Sequence, residues 1–312
     1  MTEQTPIYIC PLADFTFKRL FGTEENKELL IAFLNTSISK EAGVITDLQY
    51  LPQEQIGNAR FEKNVIFDVY CTNSTGDHFI IEMQRSKQHF FSNRIITYVS
   101  RVISKSLPRG DRRYCIPKVF SINILDFQPE MFPERDRYVW QVMLRDEANR
   151  IFSDRLVLYF FKLSNFAAQT KEKRQCFENE MEKWLYYLKN IQDMNENDLQ
   201  REQDPVFRRM MELCKYSNLN DMEQEEYKQS LLDYEGVRDA VECAREDGKE
   251  EGMEMGLKMG LKKGREEGRE EGREEGRTDE KRSIARKMQS LGVDMSTIRA
   301  TTGLTEEEIK ML

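Results

Sequence analysis

Histidine is nearly absent: the 312 residues contain only His78 and His89. Two histidines cannot build a multi-histidine zinc site, and they leave little room for a Ser-His-Asp triad or a histidine-dependent nuclease. His78 opens a strand-like run and His89 lies in a basic segment, so both read as structural or surface residues. Paired cysteines are missing too. The six cysteines, at 10, 71, 115, 176, 214 and 243, form no C-x-x-C motif, which argues against zinc or dithiol chemistry and predicts reduced, mostly buried thiols. No run approaches the roughly 18 apolar residues of a membrane span, and the N-terminal "MTEQTPIYICPLADF" has no basic-then-apolar leader. A cytoplasmic protein without a membrane partner is expected. Positive charge is not in excess either: at a formal net charge of -8, an anionic partner must be met by a local basic patch. Polar chemistry therefore falls to carboxylates, amides, lysine and arginine.

Hydrophobic residues make up 39% of the chain, enough for a packed core. Residues 14–36 read as two short helices, the first capped by Asp14 and the second carrying Leu29, Leu30, Phe33 and Leu34 at helical spacing. Strand-like runs follow at 65–71, 79–85, 118–127, 138–144 and 155–163. Between the second and third, "HFFSNRIITYVSRVISKSL" predicts a helix with Ile95, Val99, Val102 and Ile103 on one face. This order predicts an α/β sheet domain over residues 1–165. Residues 166–247 lose the strand signal and read as a helical subdomain.

From 248 to 276 glycine recurs at every fourth position, ending in "GREEGREEGREEGR". Such glycines cost a helix about 1 kcal/mol each relative to alanine, and every residue meets its own type at i,i+4. Residues 248–278 are thus expected to be a marginal helix or an extended charged linker, with a glycine-seamed self-association helix as the alternative. Residues 279–312 read as a compact helix-turn-helix-like unit: Gly292 ends one helix, Asp294 caps the next, and Thr305 with Glu308 forms a capping box. Packing or oligomerisation is the expectation for this unit ahead of DNA-groove reading. With the glycine tract it would carry any homo-oligomer.

The stretch "VIFDVYCTNSTGDHFIIEMQRS" (65–86) sets an acid within each of two apolar runs joined by a turn. In an antiparallel hairpin, opposite residues have a constant index sum and point to one face. A sum of 150 places Phe67 opposite Met83, Val69 opposite Ile81 and Cys71 opposite Phe79. A sum of 151 would set Phe67 against Gln84 and Val69 against Glu82, mixing core and solvent faces. The segregated register needs an odd loop centred on Thr75, with Gly76 left-handed. It also places Asp68 opposite Glu82, with Cβ atoms about 4.5–5.5 Å apart, where like charges repel. A bridging divalent cation or a raised pKa on one acid would offset that repulsion. Gln84 projects from the same face as Glu82.

Asp68 followed by Glu82-Met83-Gln84 resembles the PD-(D/E)XK nuclease motif, with glutamine where lysine is more usual. Together with "DFTFKRLFG" at 14–22, "IIEMQ" followed by "FFSNRIITYVSRV", the glycine tract and "TTGLTEEEI", the chain resembles the recombination-promoting nuclease and transposase family of that superfamily. The resemblance implies a restriction-endonuclease-like core, a mixed β-sheet flanked by helices, that hydrolyses DNA phosphodiesters with Mg²⁺, Mn²⁺ substituting. It implies that Asp68 and Glu82 ligate the metal, the Met83 carbonyl adds a ligand, and Gln84 orients water or substrate. A neutral amide cannot supply the lysine's charge, so Lys18, Lys63 and Arg94 are candidates for that role. Tyr98, one turn after Arg94, and Glu54 in "LPQEQ" are auxiliary candidates. Between Gln84 and Lys118 nine basic residues face one acid, Asp111. Of these, Arg85, Lys87, Arg94, Arg101 and Lys105 are the candidate nucleic-acid contacts. Two alternatives remain open: a DNA-binding or regulatory module with a weak or silent nuclease centre, and an RNase H-like transposase, which needs a further downstream acid that does not stand out.

Overall fold

The computed structural model describes residues 6–55, 65–88, 90–107, 114–166 and 177–312. Lys63, His89, Arg109, Arg112, Arg113 and Cys176 lie outside the described residues. The chain divides into two units, Met1–Arg238 and Asp239–Leu312. In the first, helices α1 (Asp14–Phe21) and α2 (Lys27–Ala42) precede β1 (Leu48–Tyr50) and the short strands β2 (Glu54–Gln55) and β3 (Val65–Ile66). A hairpin of β4 (Val69–Asn73) and β5 (His78–Gln84) leads into helix α3 (Phe91–Ser106), then β6 (Val119–Leu125), β7 (Val139–Arg145) and β8 (Ile151–Lys162). Helices α4 (Glu180–Asn190), α5 (Glu196–Arg201) and α6 (Pro205–Leu213) follow. Helix α7 (Asp221–Ser290) begins in the first unit and continues into the second, where α8 (Met295–Thr302) and α9 (Glu306–Lys310) close the chain.

Six strands form a mixed sheet in the order β1-β4-β5-β6-β8-β7. The pairs β5/β6 and β6/β8 are parallel and the others antiparallel. β6, "VFSINIL", is buried at every position because helices cover both faces of a central parallel strand. One face packs Val69, Cys71, Phe79, Ile81, Phe120 and Ile122 against α1, α2, α4 and α6. On the other, Val99 and Val102 of α3 cover Tyr70, Ile80 and Val119. The expected mixed α/β core is therefore present, and α4 to α6 contribute to the same hydrophobic cluster as the sheet.

The predicted elements are mostly found, with local corrections. The run 65–71 is two strands, broken at Phe67 and Asp68. The N-cap of α1 is Ala13, and Asp14 is instead the first helical residue. β8 starts four residues before the predicted 155–163 run, pairing with β7 as a long hairpin with register shifts. The glycine tract 248–276 is helical throughout, within α7, and exposed. In the second unit, Gly292 and Gly303 take left-handed φ values of 75° and 72°, ending α7 and α8. Asp294 caps α8, and Thr305 with Glu308 forms the expected capping box of α9 around Ala285, Ile298, Leu304 and Ile309. Cys10, Cys71 and Cys214 are buried free thiols, whereas Cys115 and Cys243 are exposed.

Trp184 of α4 is fully buried and its ring centroid lies 5.4 Å from that of Phe33 and 4.9 Å from that of Phe207. Trp184→Ala should cost about 3–5 kcal/mol of stability, read from the urea unfolding midpoint. A loss below about 1 kcal/mol would show that α4 is not integral to the core.

Candidate active site

The β4/β5 ladder pairs Val69 with Ile81, Tyr70 with Ile80, Cys71 with Phe79 and Thr72 with His78, an index sum of 150 throughout. The turn closes through Gly76 N–H to the Asn73 carbonyl, with Gly76 at φ 82°. Along β5, alternation turns Ile80, Glu82 and Gln84 toward α3 and Phe79, Ile81 and Met83 toward the opposite core.

Asp68 and Glu82 follow in the same register, but there the main-chain ladder gives way to side chains. The Asp68 N–H donates to Glu82 Oε1 at 3.3 Å, and the Met83 N–H donates to Asp68 Oδ2 at 2.8 Å. Each acid thus accepts from the opposing strand, and the two carboxylates are held as neighbours. The cause of the break lies upstream: Phe67 N–H donates to the Gln53 carbonyl and the Gln53 amide to the Asp68 carbonyl, at 3.1 and 2.7 Å. This turns Phe67 over into the α3-side cluster with Tyr70 and Ile80, correcting the expectation that it shares a face with Val69. Gln53 carries no motif signal in the sequence; its neighbour Glu54, the auxiliary candidate, is exposed, opposite Ile66 on the β2/β3 pair.

Glu82 is only 6% exposed and Asp68 half-buried. Burial is the main cause raising both pKa values, Glu82 well above the ordinary range. The Asp68 charge raises Glu82 further, whereas Arg94 and Lys18 act on both in the lowering direction. Asp14 raises Asp68, and its carboxylate also holds Lys18 Nζ at 2.8 Å. α1 thereby contributes one acid and one base to the surroundings of the pair.

A family model described as PD-(D/E)XK nuclease family transposase matches residues 11–243. The chain belongs to this family. A second model, the C-terminal HTH domain of the Rpn/YhgA-like nuclease family, matches residues 278–312. No curated protein matches, and no solved structure matches.

In this PD-(D/E)XK family member, Gln84, expected from the sequence at the motif's last position, is tied to an arginine. Gln84, 8% exposed, accepts from Arg94 Nη2 through Oε1 and donates from Nε2 to the Ser86 carbonyl at 2.9 Å. Arg94 Nη1 donates to Gln88 at 2.6 Å. Tyr98 packs edge-on against Phe67 with centroids 5.3 Å apart, and the Arg94 guanidinium lies 5.7 Å from its ring centre. Burial and the Glu82 charge raise the Tyr98 hydroxyl pKa. Arg94, Tyr98, Arg101 and Lys105 recur at helical spacing, so they share one face of α3. Arg85 and Lys87 do not join them. Alternation sends Arg85 to the other side of β5, where its guanidinium lies 3.5 Å from the Tyr234 ring centre of α7, and Lys87 pairs with Glu130. Lys63 lies outside the described residues.

Among the described residues no group of three or more His, Cys, Asp or Glu side chains could hold a metal ion. The donors present are two carboxylates and a main-chain carbonyl. Because Met83 donates its N–H to Asp68, its carbonyl points to the same strand edge. Such a hard-oxygen set suits Mg²⁺, which keeps several waters and takes one or two carboxylates plus substrate phosphate.

Carboxylates with raised folded pKa stabilise the fold fully below the ordinary carboxylate range, and that contribution is lost as pH rises through the folded pKa. Glu82→Gln in EDTA should therefore raise stability at pH 7.5 by on the order of 1 kcal/mol, the gain shrinking toward pH 4. Equal melting shifts at both pH values would show that the charge on Glu82 is not destabilising.

Proposed function

We propose that this chain is a metal-dependent DNA endonuclease of the PD-(D/E)XK class, cutting phosphodiester bonds in recombination, mobile-element transfer or defence. The observation that carries this reading is the mutually repelling pair of half-buried Asp68 and buried Glu82, held by reciprocal main-chain donors, with the Arg94 charge acting on both. Asp68, Glu82 and the Met83 carbonyl would hold Mg²⁺, or Mn²⁺ in its place. The bound cation would supply Lewis-acid charge and lower the pKa of its water. Arg94 carries the positive charge that the motif lysine provides elsewhere, and its guanidinium is fixed against Gln84 and Gln88 rather than swinging freely. Gln84, with both amide ends engaged by protein, serves in this arrangement to position Arg94. Lys18, on α1, adds charge near the same pair.

DNA is the partner proposed for the basic face of α3, since phosphate attraction scales with the cations it meets. The HTH family match supports a second DNA contact at residues 278–312. No helix among the described residues is long and apolar enough to cross a membrane; a cytoplasmic site of action is part of the proposal. Self-association through the exposed glycine tract and the C-terminal unit completes the proposal. The four-part division at 165, 247 and 278 likewise remains a proposal about which segments act separately.

Purified protein should nick DNA with Mg²⁺ or Mn²⁺ and not in EDTA. Asp68→Ala and Glu82→Ala should each lower the rate at least about 100-fold, and Arg94→Ala by about 10² to 10³, while DNA binding in EDTA persists. Cleavage unchanged in the Asp68 and Glu82 variants would remove the assignment. DNA binding with no metal-dependent turnover by wild type would instead favour a regulatory module with a silent centre.

A further inference from the structure

A cavity of about 460 Å³ lies at the end of the hairpin opposite the acid pair, lined by residues that include Tyr70, His78, Lys105, Cys115 and Arg155. The proposed cleavage chemistry does not use it. α3 links the two places. The polypeptide leaves β5 at Gln84, turns into α3 and returns in parallel on β6, so the helix runs back across the sheet with Arg94 at the Gln84 end and Lys105 at the His78 end. Arg94, Tyr98, Arg101 and Lys105 fall on one helical face between them. Eleven residues of helix separate Arg94 from Lys105, about 16 Å, or about five phosphate steps along the axis of B-form DNA.

The lining suits an anionic backbone with an attached ring. Lys105 and Arg155 bring positive charge from two different elements, α3 and β8. Among the described residues of the wall the one acid, Asp77, is held within the turn, accepting from Thr75 Oγ1 at 2.7 Å and Asn73 Nδ2 at 3.3 Å. Tyr70 and His78 form a stacked pair with centroids 5.7 Å apart, joined by a Tyr70 Oη to His78 Nδ1 hydrogen bond of 2.9 Å. Burial lowers the His78 pKa against the raising charge of Asp77, and the ring shares this wall with the two cations.

We infer that this cavity is a subsite for a nucleotide of the bound DNA strand, about five phosphates from the scissile one, its phosphate met by Lys105 and Arg155. The inference rests on the nuclease reading for its choice of ligand, but its test needs no cleavage. Binding of a fluorescent duplex to the full chain is measured in EDTA over a salt series. The Lys105→Ala/Arg155→Ala variant should bind roughly tenfold more weakly at moderate salt, and the slope of log affinity against log salt should fall by about 1, close to the 0.9 of one lost phosphate contact. Lys40→Ala/Arg208→Ala, which removes the same charge from helices on the opposite face of the sheet, should leave the slope unchanged. An unaltered slope in the cavity variant, or an equal fall in both, overturns the subsite. Stabilisation by free deoxynucleoside monophosphate that the cavity variant loses, with the duplex slope intact, would assign the cavity to free nucleotides and also overturn it. Failure of the nuclease reading shows separately, as absence of metal-dependent nicking by a wild type that binds DNA normally.

Discussion

The reciprocal exchange between Asp68 and Glu82 is the constraint around which the site is arranged. Two carboxylates on adjacent strands repel, and burial makes the repulsion worse by removing water from both. Their positions nevertheless persist because each takes a main-chain donor from the other's strand. An ordinary β ladder would have used those N–H groups for carbonyls. Here β4 stops one residue short, and Gln53 takes over the main-chain groups of Phe67 and Asp68 that the ladder would have satisfied. The break is thus compensated locally, and the strain of the site is electrostatic rather than conformational.

Helix α3 translates this local device into a surface. As the crossover between two parallel strands, it must lie across the sheet and return, which fixes one end near Gln84 and the other near His78. Its apolar face, Phe91, Ile95, Val99 and Val102, is fully used in packing. The adjoining face carries the arginines, the tyrosine and the lysine. Basic and apolar side chains therefore occupy neighbouring stripes of one helix and share its orientation.

Residues 248–276 follow a different logic. They are helical, yet Met253, Met255, Leu257, Met259 and Leu261 are exposed, and a Cβ added at any glycine of the repeat would meet nothing within 4 Å. A four-residue repeat places like residues in rows along a helix, so arginine meets arginine and glutamate meets glutamate within the chain. The compact units at either end obtain their stability from aromatic and aliphatic cores; this tract buries none of its own apolar side chains.

Much was legible before folding was considered. The hairpin register follows from segregating apolar residues onto one face, because a slip of one residue would reverse every side chain. The caps at Asp294 and Thr305 are equally local, since a cap needs only its own first turn. What the sequence alone determined is therefore the set of short-range facts: the opposed acids, the crossover helix with its basic face, the glycine repeat, and the family motifs that carry them. Long-range partners decided the rest. Arg85 sits beside Arg94 in any charge count, yet the pleat of β5 sends Arg85 to Tyr234 while α3 carries Arg94 to Gln84. Phe67 changes face because Gln53, fourteen residues earlier, captures its N–H. Asp14 reads as a helix cap until α1 is set against the sheet, where its charge reaches Asp68. Such outcomes depend on which surfaces meet in three dimensions, and spacing along one chain does not encode them.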